Sequence, residues 1–505
     1  MAVSFERIPS NIRVPIFYVE ISNRMASYFA QNQLSLLFGP MLATGIATPL
    51  EPTLVTGFDD AVGMFGAGSI LADMVDIYRR NDGFGELWCI PHVDAANAVQ
   101  AEGDYTVTGP ATAPGSLFLY IAGDRFVVNV ARNMTAAQIV QAACDVINAE
   151  PFCLVTAAPD GTDPTHMIAT AKNAGVLGND ISITVNLRGV AGGEVLPPGV
   201  VLGGGPMQDG VGVPPMAQII AAMGDDEYDF IGSPYYDATS LDALDELMDD
   251  VTGRWAWDRQ IYGGAFTART GTAQELRDFG ITRNGPHVHV LGYARSATPP
   301  WRRTAALTAQ AAVGLRADPA RPLQTLPLVG VRAPARGSGF RITEKNTHLY
   351  SGISIEMQES GQVFLQRVIS TYQRNTWGQP DPSWLDVQTG YTLMYIIRFL
   401  RQRLLQKFPR HKLANDGTPF GAGQAVATPS IIRGELIAAY SELQELGFVE
   451  NMDMFKEHLI VERNPTDPNR VDILFPPDLI NQLRVLAMLV EFRLRYTPAP
   501  TAAAA

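Results

Sequence analysis

The feature that most constrains the fold is a strand–helix alternation that stops and later resumes. Residues 33–38 read as a strand closed by Gly39-Pro40, 59–80 as a helix with Ala61, Val62, Phe65, Leu71, Val75 and Tyr78 inward, and 87–91 as a strand. The pattern returns at Tyr228, with strands over 229–232, 259–266 and 287–291 and helices over 240–252 and 272–279. Such alternation with short loops predicts parallel strands joined by right-handed crossovers. Between the halves, 103–205 is rich in Gly, Thr and Val. It has short strand patterns near 116–121, 125–130, 153–157 and 180–187, and one helix over 135–148 with Thr135 as N-cap. The expectation is a β-rich domain inserted into a discontinuous α/β domain, leaving it through Gly203-Gly204-Gly205-Pro206.

After Arg321-Pro322-Leu323 the order becomes α+β, with strands near 340–343, 353–358 and 363–371. A long helix follows over 386–408, where Leu393, Ile396, Ile397, Leu400, Leu404 and Phe408 recur at three- and four-residue steps, and Pro409 ends it. Its second half and the turn beyond carry Arg398, Arg401, Arg403, Lys407, Arg410 and Lys412, six cations in fifteen residues, with no acidic residue from 387 to 415. Cations near a helix C-terminus suit the macrodipole, but six exceed that need in a chain of net charge -13. A solvated face and a face turned to an acidic partner both fit. A second helix over 430–446 carries Glu435, Glu442 and Glu445. Residues 484–494 read as strand or helix by periodicity alone. At the other end, 1–15 is polar and broken by Pro9 and Pro15, and 16–21 reads as a strand without a local mate, either disordered or paired elsewhere.

A chain of 505 residues exceeds one ordinary core, so two to four domains are expected. The acidic balance argues against nucleic acid as the main partner. Three scattered cysteines fit a reducing compartment and no metal spacing. Neither a secretory leader nor a membrane span is expected.

No catalytic constellation emerges. There is no phosphate loop, and Gly63-Met64-Phe65-Gly66-Ala67-Gly68 lacks the offsets of one, reading as turn and packing glycine. His287 and His289 share a strand face but lack further ligands at motif spacing. Ser233 follows a strand without G-x-S-x-G around it. Asp225-Asp226-Glu227 and Asp249-Asp250 come with no matching base or metal pattern. An α/β hydrolase-like enzyme with an accessory β-domain is the alternative, and it needs the nucleophile–base pair that is missing.

Several stretches are familiar together: Ser4-Phe5-Glu6-Arg7-Ile8-Pro9, Tyr105-Thr106-Val107-Thr108-Gly109-Pro110, Ala171-Lys172-Asn173, Leu177-Gly178-Asn179-Asp180 and Pro299-Pro300-Trp301. Further on come Asp318-Pro319-Ala320-Arg321-Pro322-Leu323-Gln324-Thr325-Leu326, Phe408-Pro409-Arg410-His411-Lys412-Leu413 and Glu462-Arg463-Asn464-Pro465-Thr466-Asp467-Pro468-Asn469-Arg470. In combination and order the chain resembles the contractile tail sheath proteins of bacteriophage Mu and Mu-like prophages, from about Ser4 to Arg495.

The resemblance implies a non-enzymatic virion subunit without cofactor or metal, assembled in the host bacterial cytoplasm. It implies stacked hexameric rings around a tail tube, with the tube, baseplate and tail terminator proteins as further partners. No nucleic acid contact and no membrane insertion are implied. The expected organisation is an N-terminal arm (1–22), a discontinuous α/β domain of subtilisin-like fold (23–102 and 206–320), an outward-projecting β-rich insert (103–205), a C-terminal α+β domain (321–482), and a C-terminal arm with a frayed tail (483–505). Ile16, Phe17, Tyr18, Val19 and Ile21 become one intersubunit strand. Val485, Ala487, Leu489, Phe492 and Leu494 become the other, which decides the ambiguity of that segment towards strand. Arg398, Arg401, Arg403, Lys407, Arg410 and Lys412 become tube-facing by analogy with other sheaths.

Overall fold

The computed structural model describes residues 33–492 and 494. The expected N-terminal strand, Ile16 to Ile21, lies outside them. The first half of the α/β domain runs β1 (Leu34–Pro40), β2 (Thr53–Leu54), α1 (Phe58–Phe65), α2 (Ile70–Asn81) and β3 (Leu87–His92). The single helix expected over 59–80 is two. Gly66 and Gly68 break it with φ values of +90° and +83°. A Cβ on Gly68 would lie 2.5 Å from the Cys153 carbonyl oxygen, so the turn requires glycine. Ser69 then caps α2, its hydroxyl accepting from the Ala72 amide at 3.2 Å.

The chain next builds β4 (Gln100–Thr108), β5 (Gly115–Ile121), β6 (Asp124–Val130), α3 (Ala136–Asn148), β7 (Val155–Pro159), β8 (His166–Ala174), β9 (Ile183–Val185) and β10 (Val201–Gly204). They form two antiparallel sheets, β10-β4-β8-β7 and β6-β5-β9. Strict in–out alternation along β4 and β8 gives each strand one core face. Thr135 caps α3 in a capping box with Gln138.

The return path is α4 (Met216–Met223), β11 (Tyr228–Gly232), α5 (Ala238–Leu247), β12 (Gly264–Thr270), α6 (Ala273–Gly280), β13 (Val288–Tyr293), α7 (Pro300–Ala317), α8 (Ile342–Tyr350), β14 (Ser354–Glu359) and β15 (Gln362–Arg367). One eight-stranded sheet results, in the order β15-β14-β13-β12-β11-β1-β3-β2. Its six inner strands are parallel and both edges antiparallel. The run β3-β1-β11-β12 is a doubly wound order whose direction of growth reverses between β1 and β11. β11 and β13 are buried at every position, as strands covered on both faces must be.

Two expectations fail locally. The strand expected over 259–266 begins only at Gly264, because Gln260 takes φ +55° and Gly263 φ +159°. The strand expected over 340–343 is the start of α8, since the Arg341 amide donates to Glu344 Oε2 at 2.7 Å and opens a helix there. β14 and β15, read from the sequence as part of the C-terminal α+β region, extend the main sheet.

The C-terminal part comprises α9 (Val387–Lys407), β16 (Lys412–Leu413), β17 (Val426–Ala427), α10 (Pro429–Glu445), α11 (Met452–His458), β18 (Ile460–Arg463) and β19 (Val471–Leu474). It has its own core, centred on Ile396, Leu436, Tyr440, Leu443, Phe448 and Phe455. The first half of α9 buries Val387, Tyr391 and Met394 in the main core instead, so this one helix joins the two.

The insert sits on the carboxyl ends of the parallel strands. Asn173 is the clearest tie: its Nδ2 donates to the Met41 carbonyl just past β1 at 3.1 Å and to Asp94 just past β3 at 3.2 Å, while its Oδ1 accepts from the first amide of α2 at 3.0 Å. Tyr236, just past β11, donates to Asp180 at 2.8 Å, and the Ser182 hydroxyl donates to the Ala297 carbonyl at 2.6 Å. Arg302 on α7 forks onto Asp73 of α2 and reaches Asp124 of the insert at 2.7 Å. Open α/β sheets bind ligands at this end, near the reversal in strand order. Here protein fills it.

Candidate assembly surfaces

The residue types that invited a chemical reading all have structural partners. The Ser233 hydroxyl donates to the Tyr235 carbonyl and accepts from its amide, closing the turn after β11. His287 stacks on Trp255 at 3.8 Å and meets Asp250 at 2.9 Å. His289 meets the Ile369 carbonyl at 3.1 Å and stacks on Phe266. Burial holds both imidazoles below the usual histidine range, with Asp250 opposing this at His287. Asp225 pairs with Arg259, Glu227 with Arg398, and Asp249 accepts from the amides of Val251 and Thr252. Among the described residues no group of three or more His, Cys, Asp and Glu is placed to hold a metal ion, and no helix is long and apolar enough to cross a membrane.

The basic helix is α9, and its cations divide into two sets. Arg398, only 13% exposed at its side chain, lies 2.7 Å from Asp229 and 3.2 Å from Glu227. Asp229 is fully buried; burial pushes its pKa up to about 6, and Arg398 opposes that rise. Arg403 reaches Glu435 and, at 2.5 Å, Glu442, both on α10, and Lys407 also reaches Glu435. Burial raises the Glu435 pKa, but Lys407 and Arg403 outweigh it and hold the carboxyl below its usual range. Carboxylates from distant elements therefore hold Arg398 and Arg403 inward, whereas Lys407, though it reaches Glu435, stays exposed. Arg401, Arg410 and Lys412 stay exposed, and none of them has an acidic partner among the described residues. The missed signal was Glu435 and Glu442, seven residues apart on one face of the next helix and facing cations four apart on α9.

The second surface is the C-terminal segment. Residues 478–482 still lie against the C-terminal core, with Glu450 donating to the Asp478 carbonyl and Ile480 to the Phe448 carbonyl. Arg484 then turns in, donating to Asp386 and Gln388 at 2.9 Å each. Beyond it Val485, Leu486, Ala487, Met488, Leu489 and Val490 are exposed on both sides of the chain, as are Phe492 and Leu494. No ladder forms here, so the expected strand is absent from the single chain: a strand needs a neighbour for its backbone groups, and none of the described residues supplies one. A run apolar on both faces suits a strand buried on both. The same domain holds β18 and β19, an antiparallel pair with no third described strand beside it.

Comparison with known proteins shows which family the chain belongs to. The chain is 36% identical, over 97% of its length and 100% of the relative's, to the Mu-like prophage FluMu tail sheath protein of Haemophilus influenzae. It belongs to the tail sheath proteins of Mu-like phages. Residues 209–371 match the phage tail sheath protein central domain, and 379–493 the phage tail sheath C-terminal domain. Solved sheath tail proteins from Desulfitobacterium hafniense and Listeria innocua are similar at 12% and 10% identity, covering 92% and 89% of this chain and 100% and 93% of theirs, with TM-scores of 0.44 and 0.46. The sheath protein is thus a structural component of a phage virion with a multidomain α/β fold, and not an enzyme.

Proposed function

We propose that this sheath subunit polymerises as stacked hexameric rings around a tail tube, and that contraction of the polymer drives the tube through the host envelope for genome ejection. Assembly takes place in the host cytoplasm, with baseplate and tail terminator proteins at the two ends. The domain division drawn from the sequence, with terminal arms, discontinuous α/β domain and projecting insert, belongs to this reading. So does a subtilisin-like fold for the sheet, which concerns architecture alone.

The observation that carries the reading is the exposed apolar segment beyond Arg484. In the assembly it adds as a strand to a neighbouring subunit, whose four-residue β18 and β19 have no further strand beside them among the described residues. A four-residue edge allows roughly four intersubunit backbone bonds at about 1 kcal/mol net each, on the order of 4 kcal/mol per join before the buried apolar side chains add to it. Such a join survives while weaker contacts between core domains rearrange. The tube contact falls to Arg401, Arg410 and Lys412, with Arg398, Arg403 and Lys407 bracing the helix behind them. Exposed ion pairs contribute about 0–1 kcal/mol each, which suits a contact that must release.

Electron microscopy of the recombinant chain mixed with its cognate tube protein tests this. Striated, six-fold cylinders on tubes are expected. Changing Arg401, Arg410 and Lys412 to Glu is expected to leave subunit folding intact and to remove tube-bound cylinders. Unchanged tube decoration by that variant would dismiss the tube-facing assignment, and globular particles alone in the presence of tube would dismiss the polymer.

A further inference from the structure

Helix α9 touches the root of the C-terminal segment and reaches that of the N-terminal one through Asp229 of β11. On one side, Asp229 Oδ2 accepts from the Leu34 amide at 3.0 Å, the point where residues 1–32 join the described chain. The same Asp229 is gripped twice by α9. Arg398 lies 2.7 Å from Oδ1, and the Tyr391 hydroxyl donates to the Asp229 carbonyl at 2.7 Å. Tyr391 and Arg398 are seven residues apart, so they share a helix face. Tyr391 also stacks on Phe230, ring centroids 5.0 Å apart, which fixes that face against β11.

On the other side, the N-terminus of α9 holds the root of the C-terminal segment. Asp386 receives the Arg367 fork at 3.0 and 2.9 Å and Arg484 at 2.9 Å, while Gln388 accepts from Arg484 and donates to the Arg321 carbonyl. A carboxylate at a helix N-terminus is favoured by the macrodipole, and here it also anchors two guanidinium groups. The Arg484 side chain is 11% exposed, whereas Leu489, five residues on, is 85% exposed. The boundary between held and free chain is therefore sharp. The two anchor points, Asp386 and Arg398, are twelve residues apart, about 18 Å of helix.

We propose that α9 is a strut coupling the two arm roots, with Arg398 and Arg484 as its positioning residues. The inference rests on the reading that both terminal segments cross to neighbouring subunits. A segment whose root is held must order only its free part on docking, and that lowers the cost of joining a neighbour. Because both roots bear on one rigid helix, releasing either one lets α9 shift and loosens the other. A pull arriving through one arm passes along α9 to the other, entering or leaving through the β1–β11 end of the sheet.

A double-mutant cycle on the full chain tests the coupling. Arg484→Met releases one root. Arg398→Met combined with Asp229→Asn removes the ion pair by which α9 grips the strand beside the other root, without leaving a buried charge, and Asn still accepts from Leu34. The readout is the critical concentration for polymer formation, measured by sedimentation, with subunit melting as the control. Each release is expected to raise the critical concentration about tenfold, and both together by no more than the larger single effect. Sites this far apart with no shared partner would otherwise multiply to about a hundredfold. A multiplicative result, or no change in either variant, overturns the strut. Should the Arg398 release not fold, Arg398→Gln with Asp229→Asn takes its place, a neutral pair that keeps polar side chains there without the ion pair. Deleting 483–505 separates the inference from its premise. Normal polymers from that deletion would remove the crossing arms themselves. Lost polymers with multiplicative point variants would remove only the strut.

Discussion

At the scale of single residues, the chain buries polar groups and then satisfies them. Arg303 pairs with Glu356 at 3.0 Å inside the core and packs 3.7 Å above the Tyr293 ring, fastening α7 to β14 and β13. His92 ends β3 between the Tyr235 hydroxyl at 3.1 Å and the Val93 carbonyl at 2.9 Å. Burial pushes its pKa down to about 4, against a weaker opposing hydrogen bond to the Val93 carbonyl. An imidazole that is harder to protonate when folded contributes stability above its unfolded value near 6.5, and that contribution is lost as pH falls from there towards 4. The His92 share is on the order of 3 kcal/mol. Asp229 and Asp180, both raised by burial to about 6, act in the opposite sense, since their protonation favours the folded form in the same window. His92→Gln is therefore expected to flatten the loss of stability between pH 6.5 and 4 relative to the parent, measured by urea unfolding across that range. Parallel curves would contradict the neutral buried imidazole. The motif residues Asn173 and Asp180 are now explained too: each connects insert to core, which a linear sequence cannot reveal because the partners lie far away along the chain, while Trp301 donates to Asp73 and joins α7 to α2.

At the scale of elements, legibility followed local signals. Thr135 and Thr272 both form capping boxes, and the helices they open were readable from the sequence. α8 was missed because its capping residue is Arg341, outside the usual Ser, Thr, Asp and Asn. The apolar stripe of α9 was readable but its charges were not, because their neutralisation depends on how α10 packs. The C-terminal segment gives the sharpest element-level prediction. Leu489 touches nothing that holds the subunit together, so Leu489→Pro is expected to change subunit stability by less than about 0.5 kcal/mol. Proline removes a backbone donor and interrupts a ladder. Polymers are expected to disappear while the melting curve stays in place. Normal polymers from this variant, seen by electron microscopy, would show that 485–494 does not act as a strand.

At the scale of the whole molecule, alternation predicted the parallel sheet and the break in alternation predicted the insert. Where the insert sits was not predictable, since only the folded chain brings Asp124, Asp180 and Asn173 to the strand ends. Arg302 is the buried cation among these connections, and removing one partner from a buried pair costs about 3–5 kcal/mol. Arg302→Met is thus expected to lower the melting temperature and to speed cleavage in limited proteolysis near residues 93–99. Asp124→Asn changes an exposed partner and is expected to stay within about 1 kcal/mol of the parent. Equal effects from the two would contradict an Arg302 anchored mainly on Asp73. The insert also leaves and re-enters side by side: Val99 pairs with Val211 and Glu102 with Gln208. To the sheet, everything between those pairs is one closed loop, and the entropy of closing a loop grows only slowly with its length. The position therefore works as a socket. Decorations of very different size can be exchanged there in evolution or engineering, provided each newcomer satisfies the groups the strand ends present, among them the Met41 carbonyl, Asp94 and Tyr236.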